Sequence, residues 1–304
     1  MKTIQIAPGL TGSCIAMGCM RIGTLSVDQV EHLIDAAMES GISFFDHADI
    51  YAEGRSEEIF GQALQRRPGT RKKIILQTKC GICNGYYDFS AKHIAASVDG
   101  SLKRLQTDYL DVLLLHRPDA LMEPEEVAQA FEKLHKDGKV RYFGVSNQNP
   151  MQIELLKKAV TQPLVINQLQ FGVMHTGMID SGFHVNMADP ASVMHDGSVL
   201  EYCRLHDITL QAWSPFQYGF FEGVFLDNAK FPQLNACIAK TAQKYGVTNS
   251  AIATAWILRH PAKTQVVTGT TCAQRLLQIS KGADITLTRE EWYEIYRAAG
   301  NALP

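Results

Sequence analysis

The chain has no run of 18 apolar residues, so no transmembrane helix is expected. Its first nine residues are interrupted by Gln5 and by Pro8-Gly9, and they lack the continuous apolar stretch of a secretory signal. There is no long run of one charge sign, and the formal net charge is only -2, which argues against nucleic acid or an anionic membrane as the main partner. No internal repeat, low-complexity segment or linker divides the sequence, so residues 1–304 are expected to form a single domain. The seven cysteines are irregularly spaced, and without a secretion signal they read as reduced thiols of a cytoplasmic protein. One C-x-x-C, Cys80 to Cys83, follows Lys79. No second such pair exists to complete a zinc site, and Asn84-Gly85-Tyr86-Tyr87 reads as loop rather than the helix that a thioredoxin-type pair opens. No G-x-G-x-x-G follows the first strand pattern, which removes the signature of a doubly wound dinucleotide-binding sheet.

What is present is an alternation of two periods. Strand-like runs near 15–20, 43–47, 74–79, 111–116, 141–145, 165–169, 208–213 and 265–268 are separated by helical patterns. The helices are expected near 26–39, 55–66, 90–106, 124–137, 150–159, 198–206, 234–245, 249–259 and 272–281. Within 90–106, Ile94, Val98, Leu102 and Leu105 recur at three- and four-residue steps, with Ser90 placed to cap. Runs such as Val112-Leu113-Leu114-Leu115 are apolar at every position, as parallel strands covered by helices on the outside are. Eight such units predict an α/β fold, a (β/α)8 TIM barrel, with residues 3–14 as an N-terminal hairpin plugging the bottom. The two longest βα-loops, 170–197 and 214–233, are the expected specificity loops.

In such a barrel, catalytic groups gather where strands end. Asp46, Tyr51, Lys79 and His116 stand at or just past the ends of three successive apolar runs. A tyrosine with its reference pKa near ~10 is a poor acid at neutral pH, and a neighbouring ammonium lowers that value. Lys79 is the candidate ammonium, Asp46 its counter-ion, and His116 a donor that orients a substrate oxygen. The set suits reduction of a C=O group, with Tyr51 as general acid. In 170–197, His175, Asp180, His184, Asp189, His195 and Asp196 fit no metal spacing, so no metal site is expected. Met174, Met178, Met187 and Met194 in that loop could form an adaptable wall over the substrate.

The segments Phe45-Asp46-His47-Ala48-Asp49-Ile50-Tyr51, Thr78-Lys79, Leu113-Leu114-Leu115-His116-Arg117-Pro118 and Gly138 to Asn147 resemble the aldo-keto reductase family. His116-Arg117-Pro118-Asp119 with Leu121-Met122 is most similar to its bacterial YdhF-like oxidoreductases. The resemblance implies a (β/α)8 barrel, NADPH as cofactor, a small-molecule carbonyl substrate, and Asp46, Tyr51, Lys79 and His116 as the catalytic tetrad. It implies that Ser146, Asn147 and Gln168 hold the nicotinamide amide and that the ring stacks on Trp213. Gly18, Met20 and Asp46 are implied beside the cofactor, and Ser214, Phe216 and Gly219 near its phosphates. Thr270 and Arg275 are implied at the 2′-phosphate, which favours NADP over NAD. Gln278 stands at the adenine end, where Gln278-Ile279 replaces the family's usual Glu-Asn; Thr271 replaces a common basic residue. Two other readings remain open: a nucleotide-binding accessory subunit, as some relatives are, and a lyase using Lys79 as a Schiff-base nucleophile.

Overall fold

The computed structural model describes all of residues 1–304. A hairpin comes first, β1 (Thr3–Ala7) and β2 (Leu10–Ser13), turning at Pro8-Gly9. Eight parallel strands then close a barrel: β3 (Ile15–Gly18), β4 (Phe44–Asp46), β5 (Ile75–Cys80), β6 (Leu110–Leu115), β7 (Val140–Ser146), β8 (Leu164–Gln170), β9 (Thr209–Trp213) and, last in sequence, β12 (Thr264–Thr268). β12 pairs with both β9 and β3 and so completes the circuit. Two short strands, β10 (Gln217–Tyr218) and β11 (Gly223–Val224), form a separate hairpin after β9.

Eleven α-helices lie between and after these strands. They are α1 (Val27–Glu39), α2 (Arg55–Gln65), α3 (Ala91–Leu105), α4 (Pro124–Lys136), α5 (Pro150–Lys157), α6 (Gly177–Phe183), α7 (Val199–Leu205), α8 (Pro232–Tyr245), α9 (Asn249–Arg259), α10 (Ala273–Ser280) and α11 (Arg289–Ala298). Local sequence explains their starts. Ser26 and Gln29 form a reciprocal capping box at α1, and Asn149 and Gln152 do the same at α5, where Pro150 occupies the first turn. None of the helices is long and apolar enough to cross a membrane.

Side-chain direction along the strands places the site. On β4, Phe44 faces the barrel interior while Phe45 faces the helices; on β6, Val112 and Leu114 face in while Leu113 and Leu115 face out. The period of two therefore carries Asp46, Gln77, Lys79 and His116 inward, each two residues beyond an inward-facing neighbour. Ile6, Ala7 and Leu10 of the first hairpin join Phe44, Val112, Leu114, Ile166 and Val267 in one interior cluster. The hairpin thus plugs the bottom, as its sequence suggests. Gly144 on β7 is required there, since a Cβ would lie 2.6 Å from the Ile166 carbonyl oxygen.

All eight barrel strands and nine helices match the positions expected from periodicity. α6, α11 and the β10–β11 hairpin lie outside those expectations. α11 is secured by packing: the Trp292 and Trp256 rings stack at 4.7 Å, and each indole N–H donates to the other's backbone carbonyl at 3.0 Å.

Candidate active site

Lys79 is the hub. Its Nζ donates to the Asp46 carboxylate at 2.8 Å, to the His47 backbone carbonyl at 2.8 Å and to the Tyr51 hydroxyl at 3.2 Å. Those bonds use all three N–H groups of the ammonium. An ammonium cannot accept, so the Tyr51 oxygen is the acceptor and its own proton is directed away from Lys79. Tyr51 reaches this position from the turn that follows β4, not from a strand end, and His116 stands one residue beyond β6. The Tyr51 and His116 rings meet edge to face with centroids 5.9 Å apart. The four residues, separated by up to 70 positions in sequence, therefore share one corner of the barrel mouth.

Burial sets the protonation states. It pushes the Tyr51 phenol up, with Lys79 offsetting part of the rise and Asp46 adding to it. The lowering expected from the ammonium alone is outweighed because the surrounding protein strips most water from the phenol, although it still borders the cleft. Burial also works against the Lys79 charge, but Asp46 and Tyr51 more than compensate and raise it above its usual value. His116 is held well below the usual imidazole range by burial, then by the Lys79 and Arg117 charges. At neutral pH the site therefore holds a protonated phenol, an ammonium and a neutral imidazole. His116 Nδ1 is buried without a partner in the protein.

The site opens into a cleft of about 1070 Å³ along the mouth of the barrel, just above the ~300–1,000 Å³ of ordinary ligand pockets. Tyr51 and His116 line it, with Lys79 sealed behind them. Gly18, Met20, Asp46, Ser146, Asn147, Gln168, Trp213, Ser214, Phe216, Thr270, Arg275 and Gln278 line it too. Ser146 Oγ donates to the Gln168 backbone carbonyl at 2.9 Å, Asn147 Nδ2 donates to Ser146 Oγ at 2.7 Å, and Trp213 Nε1 donates to Asn147 Oδ1 at 3.2 Å. The side-chain amide of Gln168 spends its N–H groups on Asp46 and Gln211, at 3.1 and 2.9 Å, which leaves Oε1 as the atom free to accept from a carboxamide. At the far end, Thr270 Oγ1 accepts from the Cys272 backbone N–H at 3.2 Å, ahead of α10. Arg275, in the first turn of α10, faces the cleft with no carboxylate within ion-pair distance. A helix start with free N–H groups and an unpaired guanidinium is a fit for phosphate. The residues present therefore suit a dinucleotide laid from Trp213 to α10.

Two of the expected sets lie outside the lining of this cleft. Gly219 does not line the cleft; its carbonyl accepts from Gln170 Nε2 at 3.2 Å, and the backbone turns there at φ +58°. The loop 170–197 contributes no lining residue. Met178 is buried in the core, Met187 and Met194 are exposed elsewhere, and Asp180 accepts from the Tyr296 hydroxyl of α11 at 2.6 Å. His184 pairs with Asp189 at 3.0 Å. The loop is drawn toward the C-terminal helix, an element that periodicity did not anticipate. The wall over the cleft comes instead from Phe221, Val224, Leu226 and Asp227 beyond β9 and from Thr248, Asn249 and Ser250 at the start of α9. Thr248-Asn249-Ser250 is a helix-start signal ahead of an apolar run, so a sequence cue existed. Cys80 and Cys83 are not an activated pair: burial pushes both thiols up, Cys80 strongly, and Cys83 Sγ lies 3.7 Å from His93 Nε2.

Comparison with known proteins is consistent with this geometry. The model of the Aldo/keto reductase family matches residues 14–299. A 6-dehydroglucose reductase of Agrobacterium fabrum is 34% identical over 313 residues, covering 98% of this chain and 98% of the relative. The oxidoreductase YdhF of Escherichia coli is 32% identical over 311 residues, again covering 98% of each. A solved aldo-keto reductase from Klebsiella pneumoniae in complex with NADPH superposes with a TM-score of 0.80 at 25% identity, over 100% of this chain and 96% of that one.

Proposed function

Because the chain belongs to the aldo/keto reductase family, we propose that it is an NADP-dependent oxidoreductase that reduces an aldehyde or ketone to an alcohol, with Tyr51 as general acid. Residues 1–304 act as one catalytic unit. When bound, the reduced nicotinamide supplies a hydride to the carbonyl carbon. Ser146, Asn147 and Gln168 would hold its carboxamide, Trp213 would back the ring and exclude water behind it, and Arg275 would take the 2′-phosphate.

The observation that carries the reading is the direction of the bonds at Lys79. The ammonium donates to the Tyr51 oxygen, so the phenolic proton is free for a substrate oxygen in the cleft. As that proton leaves, Lys79 stabilises the phenolate left behind, and Asp46 keeps Lys79 in place. Neutral His116 supplies a hydrogen bond that fixes the approach of the carbonyl oxygen without adding a competing acid. The same bonds disfavour the Schiff-base reading, because a lysine raised above its usual pKa with all three donors engaged has no lone pair to attack. The accessory-subunit reading predicts nucleotide binding without turnover.

The substrate side of the cleft combines Met20, Ile50 and Ile82 with two guanidinium groups, Arg21 and Arg117. Together with the name of the Agrobacterium relative, this places polar, sugar-derived aldehydes first in a substrate panel. The test is NADPH consumption across aliphatic, aromatic and sugar-derived carbonyls, with Tyr51→Phe as control. The variant should lose about 10²–10⁴-fold in kcat while binding NADPH as the wild type does. Wild-type turnover by Tyr51→Phe would overturn the assignment, and a lower Michaelis constant for NADH than for NADPH would remove the role given to Arg275.

A further inference from the structure

Four glutamines occupy the barrel interior beside Asp46, where branched aliphatic side chains are the usual filling. Gln77, Gln211 and Gln265 are completely buried and Gln168 nearly so. Gln265 Nε2 donates to the Ser13 backbone carbonyl at 2.6 Å. Gln211 Nε2 donates to Gln265 Oε1 at 2.7 Å and to Gln77 Oε1 at 3.3 Å. Gln77 Nε2 and Gln168 Nε2 both donate to Gln211 Oε1, at 2.8 and 2.9 Å. The same two nitrogens donate to Asp46 Oδ1, at 2.6 and 3.1 Å. The Gln77–Gln211 bonds cross the barrel axis, since β5 and β9 stand opposite each other in the eight-stranded circuit.

The direction of this chain is forced from its ends. A backbone carbonyl only accepts, so Gln265 must turn its NH₂ toward Ser13 and its oxygen toward Gln211. Gln211 must then donate to Gln265, which leaves its own oxygen for Gln77 and Gln168. Those two must donate, and their remaining N–H groups meet a carboxylate, which also only accepts. Reversing any one amide sets like atoms face to face among side chains buried from bulk solvent, at about 1–3 kcal/mol for each group left unsatisfied. None of the eight amide atoms is a buried group without a partner.

We infer that Gln77, Gln211 and Gln265 are positioning residues: a polarised amide chain, oriented by Ser13 at the end of β2, that delivers two N–H donors to Asp46 Oδ1 and so holds the carboxylate against Lys79, whose Nζ lies 2.8 Å from each of its oxygens. This rests on the proposed function, because Asp46 matters only as the anchor of the ammonium that serves Tyr51. Gln265 is the informative position. It is two amides removed from Asp46 and lines no part of the cleft. The titratable groups facing the Asp46 carboxylate are Lys79, Tyr51 and Cys19, with His47 and His116 facing Lys79.

The experiment compares wild type, Gln265→Leu, Gln265→Glu and Ile166→Val in the full-length protein. Ile166→Val loosens the apolar interior without touching an amide. Gln265→Leu leaves one Gln211 N–H without its acceptor and is expected to lower kcat roughly three- to tenfold, the size of one neutral hydrogen bond lost. It should move the acid limb of the kcat profile to higher pH and leave the NADPH dissociation constant unchanged. Gln265→Glu, nearly isosteric, should recover activity as the pH is lowered and the new carboxyl gains the proton it needs to donate to Ser13. The ¹³C chemical shift of the Asp46 carboxyl, recorded at one pH without nucleotide and assigned with Asp46→Asn, should move in Gln265→Leu and stay in place in Ile166→Val. Unchanged kcat, acid limb and carboxyl resonance in Gln265→Leu, or equal changes in Ile166→Val, would overturn the inference. The NMR reading does not depend on turnover, so absence of reductase activity in the wild type would remove the proposed function and still leave the amide chain to be judged. If Gln265→Leu does not fold, Gln265→Glu carries the same comparison.

Discussion

Phe44 and Asp46 lie two residues apart on β4, both facing the barrel axis and both sealed, at 0% and 2% exposure. Phe44 belongs to an apolar cluster with the N-terminal hairpin, where the requirement is volume. Asp46 belongs to a polar layer with Lys79 and the glutamines, where the requirement is direction: every donor needs an acceptor at the correct angle. One end of the interior stabilises by filling space and tolerates another apolar side chain of similar size. The other end tolerates almost nothing, because a missing partner leaves a buried charge or amide uncompensated.

The sharpest way to break this comparison is to remove a charge from one end and a ring from the other. Lys79→Met should abolish turnover and cost about 3–5 kcal/mol in urea unfolding, because Asp46 is left as an unpaired buried carboxylate. A double change, Lys79→Met with Asp46→Leu, should recover much of that stability and none of the activity. Phe44→Ala should cost a similar ~3–5 kcal/mol through transfer and cavity terms. Its surviving folded fraction should keep the wild-type pH profile of kcat, whereas a shifted profile would mean that the two ends are not separable.

A smaller, graded effect comes from pH. Burial lowers His47 to about 3 and His260 to about 4, and it holds His116 well below the usual range. As pH falls through the unfolded histidine value near ~6.5, the unfolded chain gains protons that the folded chain does not. Stability should therefore fall between about pH 6.5 and 4, by up to about 1.4 kcal/mol per pH unit for each such histidine. Asp49, raised to about 6 by burial and then by Glu57, acts in the opposite sense, since its folded form keeps a proton that the unfolded chain has lost. His175, lowered by burial, adds to the decline, and His184, raised by its hydrogen bond to Asp189, opposes it, so four histidines act against two groups. Thermal melts across this range should show the decline, and His47→Phe, whose ring replaces one already packed edge-on against Phe60 at 4.6 Å, should flatten it. A melting temperature that stays constant from pH 6.5 to 4 would remove the assignment of these rings as neutral.

The contrast between loops has the same origin. Residues 170–197 and 214–233 look alike in sequence, long and mixed in polarity, yet only the second covers the cleft. What separates them is a partner far away. Tyr296 on α11 binds Asp180, and the Phe183 ring meets that of Tyr296 edge-on at 5.5 Å, so the earlier loop packs against the C-terminus. The signal for α11 was itself present, since Thr288 and Glu291 form a capping box ahead of Trp292, Ile295 and Tyr296. The glutamine chain was invisible for a different reason. Gln77, Gln168, Gln211 and Gln265 lie on four different strands, and nothing local says that they meet.

The amino-acid sequence by itself determined the alternation of eight strands with amphipathic helices, the caps that start those helices, and the residue types at the strand ends. These depend on periodicity and on contacts a few residues apart, which a linear pattern records. Only the tertiary structure decided which side chains share the barrel axis, which way the amides point, that burial rather than the ammonium governs the Tyr51 phenol, and which loop reaches the cleft. Those outcomes depend on closure of the barrel, because closure brings β5 opposite β9 and makes bonds such as Gln77–Gln211, Gln168–Asp46 and Gln265–Ser13 depend on partners more than a hundred residues away.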